Sequence, residues 1–414
     1  MAAHPGDARG PSAWQAGRVD DAALAKLLHP EGWALLQALP PYDERLALPL
    51  AERLQREGLD AGLVAAALTQ SRLRAKARGK LGDFADGMLF TPDGLEQATR
   101  LEVAAHHARR FRDAGCVYVA DLTCGLGADA LALAGVGLRV VATDVDETTA
   151  ALATVNLRAF PEVEVRHGDG LALDLVAEGV DGVWADPARR TGTGRRVFDP
   201  RAYAPPLDEV LAARATVPAL GLKLGPGIAH RDLPVDAEAQ WVSVDGDVVE
   251  VGLWFGPLAP DGPGRTALVL RGGVPHTLRG DPDGEHHAPP VGPVGAYLYE
   301  PDGAVIRAGL VGTVAQRVRG RLVDPTIAYV TADALTPDPL ATAYRVLDEM
   351  PFGLKRLRTY LRERGVGRLT IKKRGTAVVP ETLRRQLDLR GSAEGTVVLT
   401  RVAGHQRVLV VEPV

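Results

Sequence analysis

Short apolar runs, each closed by an acid, mark out the middle of the chain. Residues 117–129, VYVADLTCGLGAD, open with four apolar positions, turn at Gly125 and Gly127, and continue into an Ala- and Leu-rich stretch at 128–134. That pattern predicts a buried strand, a turn and a helix. A second run, LRVVAT at 138–143, ends on Asp144, and a third, within VEVRHGD at 163–169, ends on Asp169. A fourth, DGVWA at 181–185, is followed by Asp186 and Pro187. Residues 221–224 predict a fifth strand, and 240–255 hold two alternating runs around Asp245 and Gly246, a hairpin signal.

Helical periodicity flanks this region. Upstream it predicts helices over 20–39, 42–57 and 59–78, punctuated by Pro40, Pro41 and Gly58, with 1–18 aperiodic. In the second, Leu46, Leu50 and Leu54 recur every fourth residue and predict an inward face. The third ends in SRLRAKARGK, where Arg72, Lys76 and Lys80 share one face and Arg74 and Arg78 another. Two readings stay open for these cations: phosphate contact, or a solvated helix end whose charges suit the dipole. Residues 91–111 predict a helix with Thr91 as N-cap and Pro92 at its first position, setting Leu95, Ala98, Leu101, Ala105 and Ala108 on one side. Downstream, 266–271 reads as a strand, 281–293 as a Pro-rich loop, and 296–300 with 304–308 as a hairpin across PDG. Then follow strand 344–347, helix 353–364, strand 368–373, helix 381–389 and strands 396–402 and 407–411, an order similar to a ferredoxin-like unit.

Composition narrows the class. A chain of 414 residues predicts two or three domains. With 2 Cys there is no disulfide framework, and neither a signal-peptide core nor an apolar run near about 18 residues occurs, so a cytoplasmic protein without a membrane span is expected. The net charge of −4 conceals an asymmetry: residues 351–414 carry 14 Lys and Arg against 5 Asp and Glu, leaving the rest at −13. A basic end on an acidic body points to a polyanion partner; the plainer reading is an Arg-rich solvated surface. The pairs His106-His107 and His286-His287 lack further ligands at metal spacing, and no metal is expected.

The acids give the chemistry. Gly125 and Gly127 carry no Cβ and tolerate positive φ, so backbone there can approach a ligand closely. An acid ending the second strand is where a doubly wound sheet holds ribose hydroxyls, which makes Asp144 the ribose candidate. The loop D-L-T-C-G-L-G lacks dinucleotide spacing, and Asp121 would repel a pyrophosphate, which wants bare amides. Asp121 suits the ammonium of a methionyl group, and Asp169 is placed to accept from an adenine amino group. Acids after four successive strands, Asp121, Asp144, Asp169 and Asp186, resemble the pattern of class I S-adenosylmethionine-dependent methyltransferases over residues 88–256. The resemblance implies a methionyl pocket at Asp121, Gly125 and Gly127, a ribose site at Asp144 and an adenine site at Asp169. It adds Thr123, Val145 and Gly170 to the cofactor set. Phe90, Thr91 and Pro92 resemble the segment ahead of the first strand in trimethylguanosine-synthase-like and related RNA methyltransferases, where it lines the cofactor pocket. That implies the same for Phe90 and Thr91; as residues alone they read as a capped helix on the sheet.

Asp186, Pro187 and Arg189 are the catalytic candidates. Amino-directed methyltransferases carry D/N-P-P-aromatic, whose oxygens orient a nitrogen lone pair for in-line attack on the methyl. Here Ala188 replaces the second proline and Arg189 the aromatic, though an Arg can stack on a base or grip phosphate. Carbon-5 uridine methyltransferases carry D-P-P-R but use a cysteine after the next strand, and no Cys lies beyond Cys124. Cys124 itself reads as packing. Lys223 either reaches substrate phosphate or faces outward. The tail resembles the THUMP-like domain that follows the methyltransferase domain in a bacterial family. That implies RNA-backbone contact through Lys355, Arg356, Arg358, Arg362, Lys372, Lys373 and Arg374.

The expected architecture is α/β. A Rossmann-like class I methyltransferase domain occupies 87–262, an N-terminal helical domain 1–86, and a C-terminal α+β ferredoxin-like/THUMP-like domain 263–414. The expected function is S-adenosyl-L-methionine-dependent methylation of a base nitrogen in tRNA or rRNA. The rivals are a small-molecule or protein methyltransferase and a non-catalytic cofactor- and RNA-binding protein. The loop spacing argues against an NAD oxidoreductase.

Overall fold

The computed structural model describes residues 21–187, 203–280 and 289–414. The chain divides into two compact units between Ala185 and Asp186.

The first unit begins with helices α1 (Asp21–Leu27), α2 (Pro30–Ala38), α3 (Glu44–Arg56) and α4 (Ala61–Leu81). The single helix expected over 20–39 is two. Pro30 opens α2, and His29 before it is extended at φ −76°, ψ 151°, because a residue preceding proline is pushed out of the α region. The inward stripe on α3 is corrected at one position: Leu54 is buried and Leu50 half-buried, but Leu46 is 60% exposed. Neither reading of the basic run on α4 fits its best-placed cations. Arg74 is buried, donates Nε to the Met88 carbonyl at 2.8 Å and lies over the Trp33 ring. Burial lowers its pKa to about 10, so it stays charged at neutral pH. Arg78 pairs with Asp86 at 2.6 Å, and Lys80 Nζ donates to the carbonyls of Leu95, Glu96 and Ala98. These side chains hold the segment that follows them.

That segment leads into α5 (Pro92–Gln97) and α6 (Leu101–Asp113). Thr91 caps α5, accepting from the Gly94 N–H at 3.0 Å. The helix expected to run unbroken to Phe111 is interrupted at residues 98–100. The restart rotates the inner face of α6 onto Val103, Ala104, His107, Ala108 and Phe111. Next come β1 (Tyr118–Asp121), α7 (Ala128–Gly135), β2 (Arg139–Asp144), α8 (Glu147–Asn156), β3 (Val163–His167), α9 (Leu175–Glu178) and β4 (Gly182–Ala185). The four strands are parallel in the order β3-β2-β1-β4. Every residue of β1 and β4 is buried, as apolar runs in a doubly covered parallel sheet are. Parallel pairing puts all four C-terminal tips on one edge, and the order reverses at β1, where such sheets open a crevice.

The second unit holds α10 (Leu207–Ala212), β5 (Leu220–Leu224), β6 (Glu238–Val244), β7 (Asp247–Trp254), β8 (Gly264–Arg271) and β9 (Val274–Arg279). These strands run β5-β7-β6-β8-β9, with only β6 and β8 parallel. The β6–β7 hairpin turns at Asp245 and Gly246, both at positive φ, the conformation that matches strand twist. Further on lie β10 (Tyr297–Pro301), α11 (Gly303–Ala308), α12 (Val311–Arg317), β11 (Arg321–Asp324), β12 (Ile327–Ala332) and β13 (Ala341–Pro351). Residues 304–308 are helical, not the second arm of a hairpin. Asp302 caps α11 by accepting from the Ala304 N–H at 2.9 Å, and Ser243 Oγ donates to the same carboxylate at 2.6 Å.

The chain ends with α13 (Leu354–Glu363), β14 (Val366–Lys373), α14 (Pro380–Leu387), β15 (Ala393–Val402) and β16 (His405–Pro413). The second sheet runs β11-β12-β10-β13-β16-β15-β14. Alternate residues of β15 and β16 feed two cores. Val397, Leu399, Val408 and Val410 pack with Leu357 and Leu361 of α13 and Leu383 and Leu387 of α14. Val398, Leu409 and Val411 face Leu298, Tyr329 and Tyr344. Among the described residues no helix is long and apolar enough to cross a membrane, and no group of three His, Cys, Asp or Glu side chains is placed to hold a metal. His286 and His287 lie outside the described residues.

Candidate functional site

The tips of β1 and β2 build the candidate site. Asp121 closes β1, is buried, and accepts from the Thr123 N–H at 3.2 Å. The loop after it is pinned on both sides: the Leu122 N–H donates to the Trp184 carbonyl of β4, and the Cys124 N–H to the Thr143 carbonyl of β2. Gly125 and Gly127 both have positive φ but do different work. A Cβ added at Gly125 meets nothing within 4 Å, so its backbone borders open space. A Cβ at Gly127 strikes Leu157 Cδ1 at 2.8 Å, and one at Gly170 strikes the Leu122 carbonyl oxygen at 2.5 Å. Those two glycines allow close packing, and Gly170 brings the turn carrying Asp169 against the end of β1.

Asp144 ends β2 with both oxygens oriented. Oδ2 accepts from the Gly125 N–H at 3.1 Å and Oδ1 from the Asp146 N–H at 2.9 Å. A carboxylate offers about four lone-pair directions, so acceptor capacity remains for two neighbouring hydroxyls. Burial raises the pKa of this carboxyl, against the lowering by its two backbone donors. Val145, the next residue, is an exposed apolar side chain, 70% accessible. Asp169 is exposed and accepts from the Leu171 N–H at 3.0 Å. Phe90 is fully buried and Thr91 half-buried, so Phe90 acts on this site through packing. The geometry suits a nucleoside with an amino-acid arm: an open backbone edge at Gly125, a buried acid at Asp121 and an oriented acid at Asp144. Cys124 is buried, which holds its thiol well above the usual range and unreactive.

Several supporting residues escaped the sequence reading. Beneath the glycine loop, Asp129 of α7 accepts from Thr99 Oγ1 at 2.7 Å and meets His107 Nδ1 at 2.8 Å; the His107 ring stacks on Trp184 with centroids 4.3 Å apart. The adjacent His106-His107 pair is thus split between roles, with His106 half-buried and its pKa lowered to about 4, chiefly by that burial. Gln70 and Asn156 are buried amides that bond backbone near the loop. A buried Gln, Asn or Thr has no periodicity to betray it; its partners are distant in sequence.

In the second unit, Asp186 Oδ2 lies 2.5 Å from Lys223 Nζ, and Lys223 is buried. Lys223 is thus not an outward side chain; it pairs with the acid of the D-P-A-R stretch. Arg189 lies outside the described residues, as does most of the loop after it. The basic tail is also partly committed. Lys372 donates to Glu300 Oε2 at 2.6 Å, Lys373 to the Val378 carbonyl at 3.0 Å, and Arg362 to the Asp388 carbonyl at 2.8 Å. Arg358 donates to the Gln386 carbonyl, so with Arg362 it caps the end of α14. Lys355 and Arg356 instead flank an open hollow of about 690 Å³ that Thr359, Tyr360 and Glu363 also line.

Comparison with known proteins agrees with this architecture. The THUMP domain-like family model matches residues 341–413, the span from β13 to β16, and a domain of unknown function matches residues 20–77. An uncharacterised S-adenosylmethionine-dependent methyltransferase of Mycobacterium tuberculosis, matched alike in two strains, is 37% identical over 342 residues, covering 80% of this chain and 90% of that protein. A crystallised protein of Porphyromonas gingivalis W83, assigned as a methyltransferase, superposes with a TM-score of 0.71 at 22% identity over 90% of this chain and 99% of its own, a likeness of fold. With a relative this similar matched over nearly its full length, the chain belongs to the S-adenosylmethionine-dependent methyltransferases, and S-adenosylmethionine is its cofactor.

Proposed function

We propose that the acceptor is RNA, at a base nitrogen of tRNA or rRNA. Asp121, Thr123, Gly125 and Gly127 would hold the methionyl arm, Asp144 and Val145 the ribose side, and Asp169 and Gly170 the adenine side, with Phe90 and Thr91 supporting the loop. S-adenosylmethionine supplies the methyl as a sulfonium. Asp186 and Pro187 would orient the acceptor nitrogen, the carboxylate being paired with Lys223, with Arg189 reaching base or phosphate. The chain would divide functionally at 1–86, 87–262 and 263–414 into helical, methyltransferase and RNA-binding parts. The target base would leave its stack to be reached, as for other enzymes acting on bases.

The observation that carries the RNA reading is the surplus of 9 positive charges in residues 351–414, within the THUMP domain-like match. A rival reading, a methyltransferase of small molecules or proteins, draws support from the internal commitment of Arg358, Arg362 and Lys372. Incubation of the protein with methyl-labelled cofactor and RNA from cells lacking the gene decides between them. Label in a defined tRNA or rRNA fraction is expected. Absence of label, with full cofactor binding retained, would end the RNA assignment.

A further inference from the structure

Residues 88–90 run between the 3-10 turn Gly82–Gly87 and the Thr91 cap without helix or strand, yet Met88, Leu89 and Phe90 are buried. Buried main chain outside regular structure must find its hydrogen bonds elsewhere. Here side chains supply them. Arg158 Nη1 donates to the Gly87 carbonyl at 2.9 Å and Arg74 Nε to that of Met88 at 2.8 Å. Asn156 Oδ1 accepts from the Leu89 N–H at 2.7 Å while its Nδ2 donates to the Leu89 carbonyl at 3.1 Å. Gln70 clamps Phe90 in the same two-point way, at 2.9 and 2.7 Å. Each amide imitates one rung of a β-ladder, and the partners fix which end is oxygen and which is nitrogen.

Asn156 does one thing more. Its Nδ2 also donates to the Leu126 carbonyl at 3.0 Å, and Leu126 sits between the two glycines of the cofactor loop. Next to it in sequence, Leu157 packs onto Gly127, and on the far side the Leu126 side chain fills the space at Gly94 of α5. The loop is therefore held by the last residue of α8 and by the segment that α8 itself anchors.

We infer that Asn156 is a positioning residue for the cofactor: it ties Leu89 to the glycine loop at Leu126 and so fixes the backbone that meets the amino-acid arm. Gln70 holds the same segment without touching the loop, which separates the two effects. The inference rests on the loop being the cofactor site, and Asp144→Ala tests that premise separately.

The experiment measures binding of S-adenosylhomocysteine and of 5′-methylthioadenosine, which lacks the amino-acid arm, to full-length Asn156→Ser, Gln70→Met, Asp144→Ala and the unaltered chain, with urea midpoints for each. Asn156→Ser should weaken S-adenosylhomocysteine about tenfold or more, a misplacement effect, and methylthioadenosine far less. Gln70→Met should lower the urea midpoint while leaving the ratio of the two affinities as it is. The inference is overturned if Asn156→Ser leaves that ratio unchanged, or if Gln70→Met shifts it equally, since either result reduces Asn156 to general packing. If Asp144→Ala binds S-adenosylhomocysteine as well as the unaltered chain, the site assignment falls first and the inference with it.

Discussion

Asp144 shows how one side chain carries two kinds of information. Its place at the end of an apolar run was legible, because strand ends follow from a local pattern. Its hydrogen bond to Gly125, 19 positions away, was not, because that contact exists only once β1 and β2 pair in register. Burial raises its pKa above the ordinary 3.8. The sign follows directly: the folded chain takes up this proton at a higher pH than a free aspartate does. The group's contribution to stability is therefore most favourable in acid and declines as pH rises through its folded value. With Asp144 holding the ribose as proposed, the effect on the cofactor is opposite, since its hydroxyls would need the ionised acceptor. Affinity for S-adenosylhomocysteine, read by calorimetry, should fall on acidification at a pH above 3.8. Asp144→Asn should abolish that dependence and weaken binding at neutral pH by at least about tenfold, the loss of charge-assisted bonds of about 1.5 kcal/mol or more. A pH profile unaltered by the substitution would show that another group titrates.

At the scale of elements, α5 is the instructive case. Six residues cannot sustain a helix by propensity, because nucleation is unfavourable and few bonds repay it. Both ends of α5 are instead tied by side chains: Thr91 at the start, and Lys80 of α4 on three carbonyls at the finish. The Thr-Pro start was readable, as cap chemistry is local. The role of Lys80 was not, since a lysine in a basic run has no feature distinguishing a helix cap from a phosphate ligand. Lys80→Met should cost about 1 kcal/mol, from hydrogen bonds lost at partly buried carbonyls, seen as a lower urea midpoint at constant m value. It should leave the salt dependence of RNA binding as it was; a change there would restore the phosphate reading. The same distinction explains the PDG stretch, where a turn signal served the N-cap of α11.

At the scale of the whole molecule, charge is unevenly placed, with a basic tail of +9 on a remainder of −13. The tail's positive surplus suits RNA backbone, but most of its cations already meet protein acceptors: Arg358, Arg362, Lys372 and Lys373, and also Arg364, Arg368, Arg384, Arg390, Arg401 and Arg407. Lys355 and Arg356, at the open hollow, are the better-placed candidates for phosphate. Replacing both by Ala in the full chain should weaken tRNA binding uniformly and lower the slope of log affinity against log salt by about 2. S-adenosylhomocysteine binding should not change; an unaltered salt slope would place the RNA contacts elsewhere. The sequence by itself determined the order of strands and helices around the glycine loop, the acids at the strand ends and the family they imply, because periodicity and turn chemistry are local properties. Only the tertiary structure decided which glycine borders open space, which cations hold backbone rather than await a ligand, and which distant partners Asn156, Gln70 and Lys223 take. Those assignments depend on pairs of groups brought together from distant positions, and no local pattern records such a pair.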